Sequence, residues 1–234
     1  MWNGETVSVV FPAYNEEENI AEAVKDFKDT GIVDEVLVID NNSKDRTAER
    51  AATAGGRVVG ETTQGYGAAL RRGLREATGT YIILAEPDGT FVGRDVVKLL
   101  AYSMDFDMVC GTRTTKELIR GSANMGWFQR SGNILVAKSI QWLFNGPSLS
   151  DCGCTLRLIH RARLQSIVDK LTVTGSHFLP EMVILALRGH LRLIEVPVNY
   201  RSRIGTSKIT GSLKGTIKTG MRMIGLVLYY RFHA

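Results

Sequence analysis

Residues 81–89 read YIILAEPDG, and this stretch decides how the chain folds. Its first half is a short apolar run rich in β-branched residues, which is typical of a buried strand. Pro87 prevents a simple continuation of that strand, and Gly89 permits a sharp turn. Glu86 and Asp88 therefore follow the strand's end, and such a pair suits Mg²⁺, which completes its shell with water and phosphate oxygens. A solvated turn is the alternative, because Asp-Gly is a common turn dipeptide.

The composition is that of a globular domain with anionic partners. The 234 residues are 44% hydrophobic and 23% charged, which suffices to bury one core. The net charge of +5 favours nucleotides, phosphates or acidic lipid, and without a basic stripe rich in aromatic residues we expect no nucleic-acid partner. Three irregularly spaced cysteines predict a reducing compartment and no zinc site. We expect no signal peptide, and no apolar run reaches the ~18–20 residues that span a bilayer.

Strands and helices alternate through the first half of the chain. This alternation predicts a mostly parallel α/β sheet with helices on both faces. Right-handed crossovers then bring residues 12–16, 40–45 and 86–90 to one crevice at the carboxyl ends of the strands, where open α/β sheets bind ligands. The predicted strands of this half are residues 7–11, 35–39, 57–60 and 81–85.

The second half of the chain is less regular. We find no internal repeat and no linker, so we predict one catalytic domain over residues 1–208. Residues 120–126 are predicted to form a loop. Helices are predicted at residues 93–103, 127–144, from about 161, and 177–189, and strands at 107–111, 155–159 and 191–196.

Residues 209–234 are predicted to form a basic amphipathic C-terminal helix. Such a helix either lies in a membrane interface, aided by anionic lipid, or docks on the domain core or on a second subunit. The sequence leaves these alternatives open. The apolar face would carry Leu213, Ile217, Met221, Ile224 and Leu228, and the basic flank Lys214, Lys218 and Arg222.

The predicted crevice suits a nucleoside diphosphate. Asp40 follows the second strand and would accept from a base N–H, while Glu86 and Asp88 would hold the cation that offsets the diphosphate charge. Glu16 lies near the base position. Asp40 capping its own loop and Glu16 favouring a helix N-terminus are the alternatives. The wall beside the base would be formed by Pro12, Ala13 and Tyr14.

Nine segments together carry a family resemblance. In chain order they are FPAYNEEENI, VLVIDNNSKDRT, QGYGAAL, AEPDGT, CGTR, QRSGN, DCGCTLR, EVPVNY and RIGTSK. The chain resembles the family 2 glycosyltransferases of the GT-A fold, and its later segments resemble the branch of dolichyl- and polyprenyl-phosphate mannosyl- and glucosyltransferases. The resemblance implies an inverting transfer from a UDP- or GDP-sugar to an isoprenoid phosphate, with Mg²⁺ or Mn²⁺, at the cytoplasmic face of a membrane.

The resemblance also implies roles for individual residues. Glu86 and Asp88 stand where the family has its D-x-D metal motif, with Glu86 replacing the usual first aspartate. Asp151 is expected to position Arg157. The nucleotide-sugar site would comprise Pro12, Ala13, Tyr14, Glu16, Asp40, Gly67, Glu86 and Asp88. The phosphates would be bound by Arg113, Arg130, Asn133, Arg203, Ser207 and Lys208, and the catalytic set would be Asp88, Arg113, Arg130 and Arg203.

The acceptor decides the mechanism. A lipid phosphate is ionised at neutral pH and attacks without a general base, whereas a sugar hydroxyl needs a positioned carboxylate. Glu181 is the candidate base for the second case, although a charged residue in the first turn of a helix is the commoner explanation of such a glutamate. A catalytically silent scaffold that binds a nucleotide sugar is a further alternative.

Overall fold

The computed structural model describes residues 1–119, 127–203 and 213–233. Seven strands form one sheet in the order β3-β2-β1-β4-β6-β5-β7. The strands are β1 Val7–Ala13, β2 Glu35–Asp40, β3 Arg57–Gly60, β4 Tyr81–Leu84, β5 Met108–Thr112, β6 Arg157–His160 and β7 Leu193–Pro197. Strands β1 to β4 pair in parallel, β5 pairs in parallel with β7, and β6 is antiparallel to both of its neighbours. The predicted mostly parallel α/β fold is confirmed.

The helices follow the predicted order. They are α1 Ile20–Lys28, α2 Thr47–Thr53, α3 Tyr66–Glu76, α4 Val96–Tyr102, α5 Trp127–Leu143, α6 Arg161–Leu164, α7 Phe178–Arg188 and α8 Leu213–Phe232. Short 3₁₀ turns occupy Gly93–Asp95, Lys116–Leu118 and Val168–Lys170. The loop predicted at residues 120–126 lies outside the described residues.

The first helix begins later than the sequence pattern indicates. The capping-box spacing of Asn15 and Glu18 predicts that Asn15 caps this helix. In the structure α1 begins at Ile20, and Asn19 occupies the N-cap position. Asn15 instead has a φ of 52° and joins the loop that follows β2. Its backbone N–H donates to Ser43 Oγ at 3.0 Å, and its side-chain oxygen accepts from the Lys44 N–H at 2.8 Å. The residue that resembles a helix cap therefore ties two loops of the crevice together.

The sheet carries a hydrophobic core on each face. Along β1 the side chains alternate between the cores, because successive residues of a strand point to opposite sides. Val10 packs in the core that α3, α5, α7 and α8 cover, and Phe11 packs in the core that α1 and α4 cover. A Cβ on Gly73 of α3 would approach Val10 Cγ1 to 2.2 Å, so this glycine lets α3 lie close to β1.

Helix α8 packs against the domain through one face only. Val227 and Tyr230 are buried, and the Tyr230 hydroxyl donates to Glu181 of α7 at 2.9 Å. Arg188 donates to the Tyr230 carbonyl at 3.3 Å. Within the described part of the chain, no helix combines the length and apolar character needed to cross a bilayer. The boundary predicted between residues 208 and 209 falls outside the described residues and stays a prediction.

Candidate functional site

The predicted acidic pair lies directly beyond the carboxyl end of β4. Asp88 is only 2% exposed, and its Oδ1 accepts from the Thr90 backbone N–H at 3.0 Å and from Thr90 Oγ1 at 2.5 Å. Its second oxygen, Oδ2, is buried and accepts no hydrogen bond from the residues described. It lies 2.6 Å from Nη2 of Arg203, so the two groups form an ion pair, although their geometry is not that of a hydrogen bond. One carboxylate oxygen of Asp88 is therefore fixed, and the other is presented to a cation.

Glu86 presents an oxygen to the same point. Its Oε1 accepts from Thr155 Oγ1 at 2.7 Å and from the Tyr66 hydroxyl at 3.2 Å. Its Oε2 accepts from Nη2 of Arg203 at 2.9 Å. Burial and the neighbouring charge of Asp88 raise the pKa of Glu86 to about 7, and the nearby charge of Arg203 favours its ionised form. The longer side chain of glutamate is accommodated because Tyr66 and Thr155 hold it.

The pair fits a hard divalent cation. Oxygens from two carboxylates approach one nitrogen of Arg203, at 2.9 and 2.6 Å, so both reach a single central position. Mg²⁺ and Mn²⁺ prefer such oxygen donors and take the rest of their shell from water and substrate phosphates. Among the described residues, no cluster of three or more His, Cys, Asp and Glu side chains forms a complete metal cage. Glu86 and Asp88 would therefore hold the cation together with a diphosphate.

The predicted nucleotide residues lie along the same edge of the sheet. Strand β1 lies between β2 and β4, and its last residue, Ala13, pairs with Asp40 of β2. Because β1, β2 and β4 run in parallel, their carboxyl ends share the edge that carries Glu86 and Asp88. Asp40 also accepts from the Ser43 N–H at 3.3 Å, so its loop-capping alternative is observed as well.

The other predicted residues of this wall have mixed surroundings. Pro12 is partly buried, and Tyr14 is 36% exposed, so a ligand could reach its ring. Glu16 accepts from Asn19 Nδ2 at 3.2 Å, and its N–H donates to Thr47 Oγ1 at 2.8 Å. Gly67 is buried at the start of α3, where a Cβ would meet the Val173 carbonyl oxygen at 2.5 Å. Its surroundings explain Gly67 by packing, and its contact with a nucleotide stays a prediction.

Sequence reasoning missed Asn41. This residue is 3% exposed, and its amide nitrogen donates to the carbonyls of Glu61 and Thr63 at 2.9 and 2.8 Å. Its side-chain oxygen accepts from the Gly65 N–H at 2.7 Å. Asn41 therefore holds the loop before α3 against the end of β2. The signal available was an asparagine directly after the strand-ending Asp40.

Arg113 is the most firmly held of the predicted phosphate ligands. Its Nε and Nη2 donate to Asp151 Oδ2 and Oδ1 at 2.8 and 2.9 Å, which is a bidentate pair. The guanidinium lies 5.2 Å from the centre of the Tyr200 ring. Burial raises the pKa of Tyr200, Arg113 lowers it, and Glu86 and Asp88 raise it. The next residue, Arg201, donates its backbone N–H to the Thr90 carbonyl at 2.9 Å, so Tyr200 lies beside the turn that carries Asp88.

The expectation that Asp151 positions Arg157 is wrong. Arg157 is fully buried, and its guanidinium donates to the carbonyls of Cys154 and Leu179, at 3.2 Å from Nε and 3.0 Å from Nη1 respectively. A further bond, at 3.2 Å, reaches the Cys152 carbonyl. Asp151 holds Arg113 instead. The motif spacing identifies both residues, but only the three-dimensional structure shows which arginine faces the carboxylate.

Two more of the predicted phosphate residues lie near this pair. Arg130 donates from Nη2 to the Thr114 carbonyl at 2.8 Å, and Asn133 donates from Nδ2 to Asp151 Oδ1 at 2.7 Å. Glu195, which sequence reasoning did not assign, accepts from the Asp151 N–H at 2.9 Å and fixes that loop. Ser207 and Lys208 lie outside the described residues.

The candidate base Glu181 is a structural residue. It is 0% exposed, and its carboxylate accepts from the backbone N–H groups of Thr172 and Val173, from Thr172 Oγ1 and from the Tyr230 hydroxyl. A carboxylate sealed in this way cannot reach a substrate hydroxyl. The base role considered for Glu181 is therefore wrong, and its first-turn position in α7 serves to bind α8 and the preceding loop.

Comparison with solved structures shows which fold the chain has. Glucosyl-3-phosphoglycerate synthase from Mycobacterium tuberculosis, in a complex with Mn²⁺, UDP and phosphoglyceric acid, superimposes with a TM-score of 0.73 and 21% identity. The match covers 97% of this chain and 78% of that one. At this identity the likeness shows the fold, which is the GT-A glycosyltransferase fold that the sequence predicted.

The family follows from the sequence comparisons. The model of glycosyl transferase family 2 matches residues 8–168, and the chain belongs to this family of enzymes. A dolichyl-phosphate hexose transferase of Haloferax volcanii is 32% identical over 206 residues, which cover 87% of this chain and 86% of that protein. A low-salt glycan biosynthesis hexosyltransferase, Agl6, of the same organism is 33% identical over 210 residues, 87% of this chain. The match spans only 50% of that longer relative.

Proposed function

We propose that this glycosyltransferase moves a hexose, with inversion, from a UDP- or GDP-sugar to the phosphate of a polyprenyl- or dolichyl-type lipid. One observation carries the proposal: the Arg113 guanidinium lies 5.2 Å from the centre of the Tyr200 ring, and the next residue, Arg201, donates to the Thr90 carbonyl beside Asp88, so the proposed phosphate ligand and the proposed cation ligands lie near one another. A transferase that joins a diphosphate donor to a phosphate acceptor needs both.

The roles of the chain's own residues follow from this geometry. Glu86 and Asp88 would hold Mg²⁺ or Mn²⁺, which when bound offsets the charge that develops on the leaving diphosphate. Asp151 fixes one edge of the Arg113 guanidinium, so the orientation of that cation is set before a phosphate arrives. A phosphate oxygen is already ionised and attacks the sugar carbon without a base.

Two observations support a lipid phosphate as the acceptor. The 32% identical relative that shares 86% of its length with this chain is named for dolichyl phosphate. Glu181, the base considered for a hydroxyl acceptor, is sealed in the core. Because Glu181 cannot act as the base, an acceptor that carries its own negative charge explains the site better than a sugar hydroxyl.

Helix α8 supports a membrane surface as a further partner. Four of the five residues predicted for the apolar face of this helix form an exposed stripe although the helix packs on the domain, and the side chain of the fifth, Leu213, is outside the described part of the structure. Their exposed fractions are 43% for Ile217, 62% for Met221, 40% for Ile224 and 46% for Leu228. Lys218 and Arg222 are exposed beside the stripe, which suits an anionic lipid surface. We propose that the enzyme is cytoplasmic and peripheral at the cytoplasmic face of a membrane.

A transfer assay tests this function. The purified protein is incubated with labelled UDP- and GDP-hexoses, polyprenyl phosphate in vesicles, and Mg²⁺ or Mn²⁺. We expect label in the organic phase that mild acid releases, loss of that product with EDTA, and about 10²–10³-fold less of it with Asp88→Asn. Transfer to a sugar hydroxyl but to no lipid phosphate would contradict the acceptor. Donor binding without transfer to either acceptor class would indicate the silent scaffold.

A further inference from the structure

Arg203 occupies the position where the cation would bind. Its Nη2 lies 2.9 Å from Glu86 Oε2 and 2.6 Å from Asp88 Oδ2, the two oxygens that converge for a metal. The resemblance predicted that Arg203 binds a phosphate, yet in this structure it contacts carboxylates. The same nitrogen contacts both carboxylates, so the guanidinium of Arg203 lies between them, at the position that the cation would occupy.

A guanidinium and a divalent cation cannot share this position. Both need the same two oxygens, and at a separation of about 3–4 Å their charges would repel strongly in a partly buried site. The Arg203 side chain is 32% exposed and that of Asp88 only 3%, so the arginine approaches from the solvent side and can withdraw towards it. The acids cannot move away, because Thr90 holds Asp88, and Tyr66 and Thr155 hold Glu86.

The backbone near Arg203 is anchored to the same turn. The Arg201 N–H donates to the Thr90 carbonyl at 2.9 Å, and Thr90 in turn binds Asp88. The side chain of Arg203 therefore starts two residues from a fixed point beside the metal position. A rotation of this side chain alone moves its charge between the carboxylates and a neighbouring phosphate.

We propose that Arg203 is an exchangeable counter-ion of the metal site, which the cation displaces and which then binds the donor diphosphate. This inference rests on the proposed metal-dependent function and adds a role for Arg203 before the substrate arrives. Without a ligand, the arginine neutralises Glu86 and Asp88 and weakens the binding of a metal alone. When the cation and the diphosphate enter together, the displaced guanidinium gains the phosphate oxygens as new partners.

The exchange predicts effects of opposite sign on two binding constants. Binding of Mn²⁺ alone is measured by the electron paramagnetic resonance signal of the free ion, and binding of UDP at saturating Mn²⁺ by calorimetry. We expect Arg203→Gln to bind Mn²⁺ alone about tenfold more tightly, since a bond to a charged group contributes enough for such a factor. We expect the same variant to bind UDP with Mn²⁺ about tenfold more weakly. A merely structural role would weaken both.

Control variants separate the possible failures. Arg163→Gln removes an equal charge from an exposed residue that pairs with Asp107, and it should change neither constant. Arg203→Lys keeps the charge and should restore part of the UDP affinity. Unchanged or weaker Mn²⁺ binding by Arg203→Gln, with binding abolished in Asp88→Asn, overturns the exchange and leaves the metal site standing. Equal Mn²⁺ affinity of Asp88→Asn and the wild type overturns the exchange and the proposed metal site together.

Discussion

At the scale of single residues, Asp88 shows how a buried carboxylate is prepared for a cation. Two bonds from Thr90 fix one oxygen, while the other is buried without a hydrogen bond from the described residues. Leaving a charged oxygen in this condition costs free energy unless a cation binds it. Arg203 Nη2 supplies that positive charge at 2.6 Å in this structure. A buried carboxylate oxygen that depends on an exchangeable cation is a sign of function that no pattern in the sequence could show.

The first prediction concerns Asp88→Asn. The amide keeps the volume and the bonds to Thr90 but loses the charge that a divalent cation needs. We expect the transfer rate to fall by a factor of about 10²–10³, as when a single electrostatic contact to a transition state is removed. The melting temperature should change little, because the neutral amide no longer requires a cation to offset its burial. Transfer at the wild-type rate in a metal-dependent assay would contradict the assignment.

Arg157 shows the opposite case, an arginine from a family motif that serves the fold. Its buried guanidinium binds the carbonyls of Cys152, Cys154 and Leu179. We predict that Arg157→Met lowers the free energy of unfolding by about 3 kcal/mol, because the three carbonyls lose their donors. Urea denaturation measures this loss. Arg113→Gln is the matched comparison. It should lower the free energy of unfolding less than Arg157→Met does, and it should lower the transfer rate more.

At the scale of elements, the loop before β6 orients Arg113, the proposed phosphate ligand. Glu195 of β7 binds the Asp151 N–H, Asp151 binds Arg113, and the guanidinium lies over Tyr200. We predict that Asp151→Asn raises KM for the lipid phosphate about tenfold, since one charged bond is lost. The affinity for UDP with Mn²⁺ should stay near the wild-type value. Equal losses for donor and acceptor would show a general disturbance of the site instead.

Glu35 joins several elements at the opposite edge of the sheet and predicts a pH dependence of stability. Burial raises the pKa of this carboxyl, but bonds from Ser8, Thr78 and Arg57 outweigh it and lower the pKa below 4.5. A lowered pKa contributes stability above about pH 4.5 that is lost as the pH falls through the value in the folded protein. Glu35→Gln should therefore show a smaller loss of stability than the wild type between about pH 6 and pH 3. Urea titrations at each pH measure the difference.

The elements also show what the sequence could predict. The parallel strands β1 to β4 and their helices were predictable, because short stretches of the sequence show the periodicity of each element and the turn residues that end it. The insertion of β6 between β4 and β5 was not, since antiparallel pairing between segments that lie far apart in the chain leaves no local signal. For the same reason the sequence named Asp151, Arg113 and Arg157 but assigned the wrong pair. The prediction that Asn15 caps α1 was wrong because Asn15 makes its hydrogen bonds with the loop that follows β2 instead of with the helix.

At the scale of the whole molecule, the position of α8 bears on two alternatives for this helix, docking on the domain and contact with a membrane. The helix docks on the domain through Val227 and Tyr230, while the stripe of Ile217, Met221, Ile224 and Leu228 remains exposed on another side. Docking and membrane contact are therefore compatible, because they use different faces of the helix.

The last prediction tests that arrangement with Ile224→Glu combined with Leu228→Glu. Two carboxylates on the exposed stripe should remove much of the apolar contribution to membrane binding and be repelled by anionic lipid. We expect binding to anionic vesicles to fall about tenfold or more, since each buried apolar side chain contributes about 1.5–3 kcal/mol. Transfer to a short-chain, detergent-soluble lipid phosphate should continue, because neither side chain belongs to the core. Co-sedimentation with vesicles measures the first quantity and a soluble assay the second.

The control for this double variant is Val97→Glu combined with Met104→Glu, because these residues are exposed apolar side chains of the region around α4. They add the same charge without touching the stripe, so vesicle binding should fall by less. Light scattering distinguishes the remaining explanation: if the stripe joins two copies of the chain, the α8 variant changes the molar mass in solution and leaves vesicle binding unaltered. If the α8 variant lowers vesicle binding and the Val97/Met104 variant does not, the location of the carboxylates matters and their charge alone does not. That result requires the membrane to be the partner of the stripe.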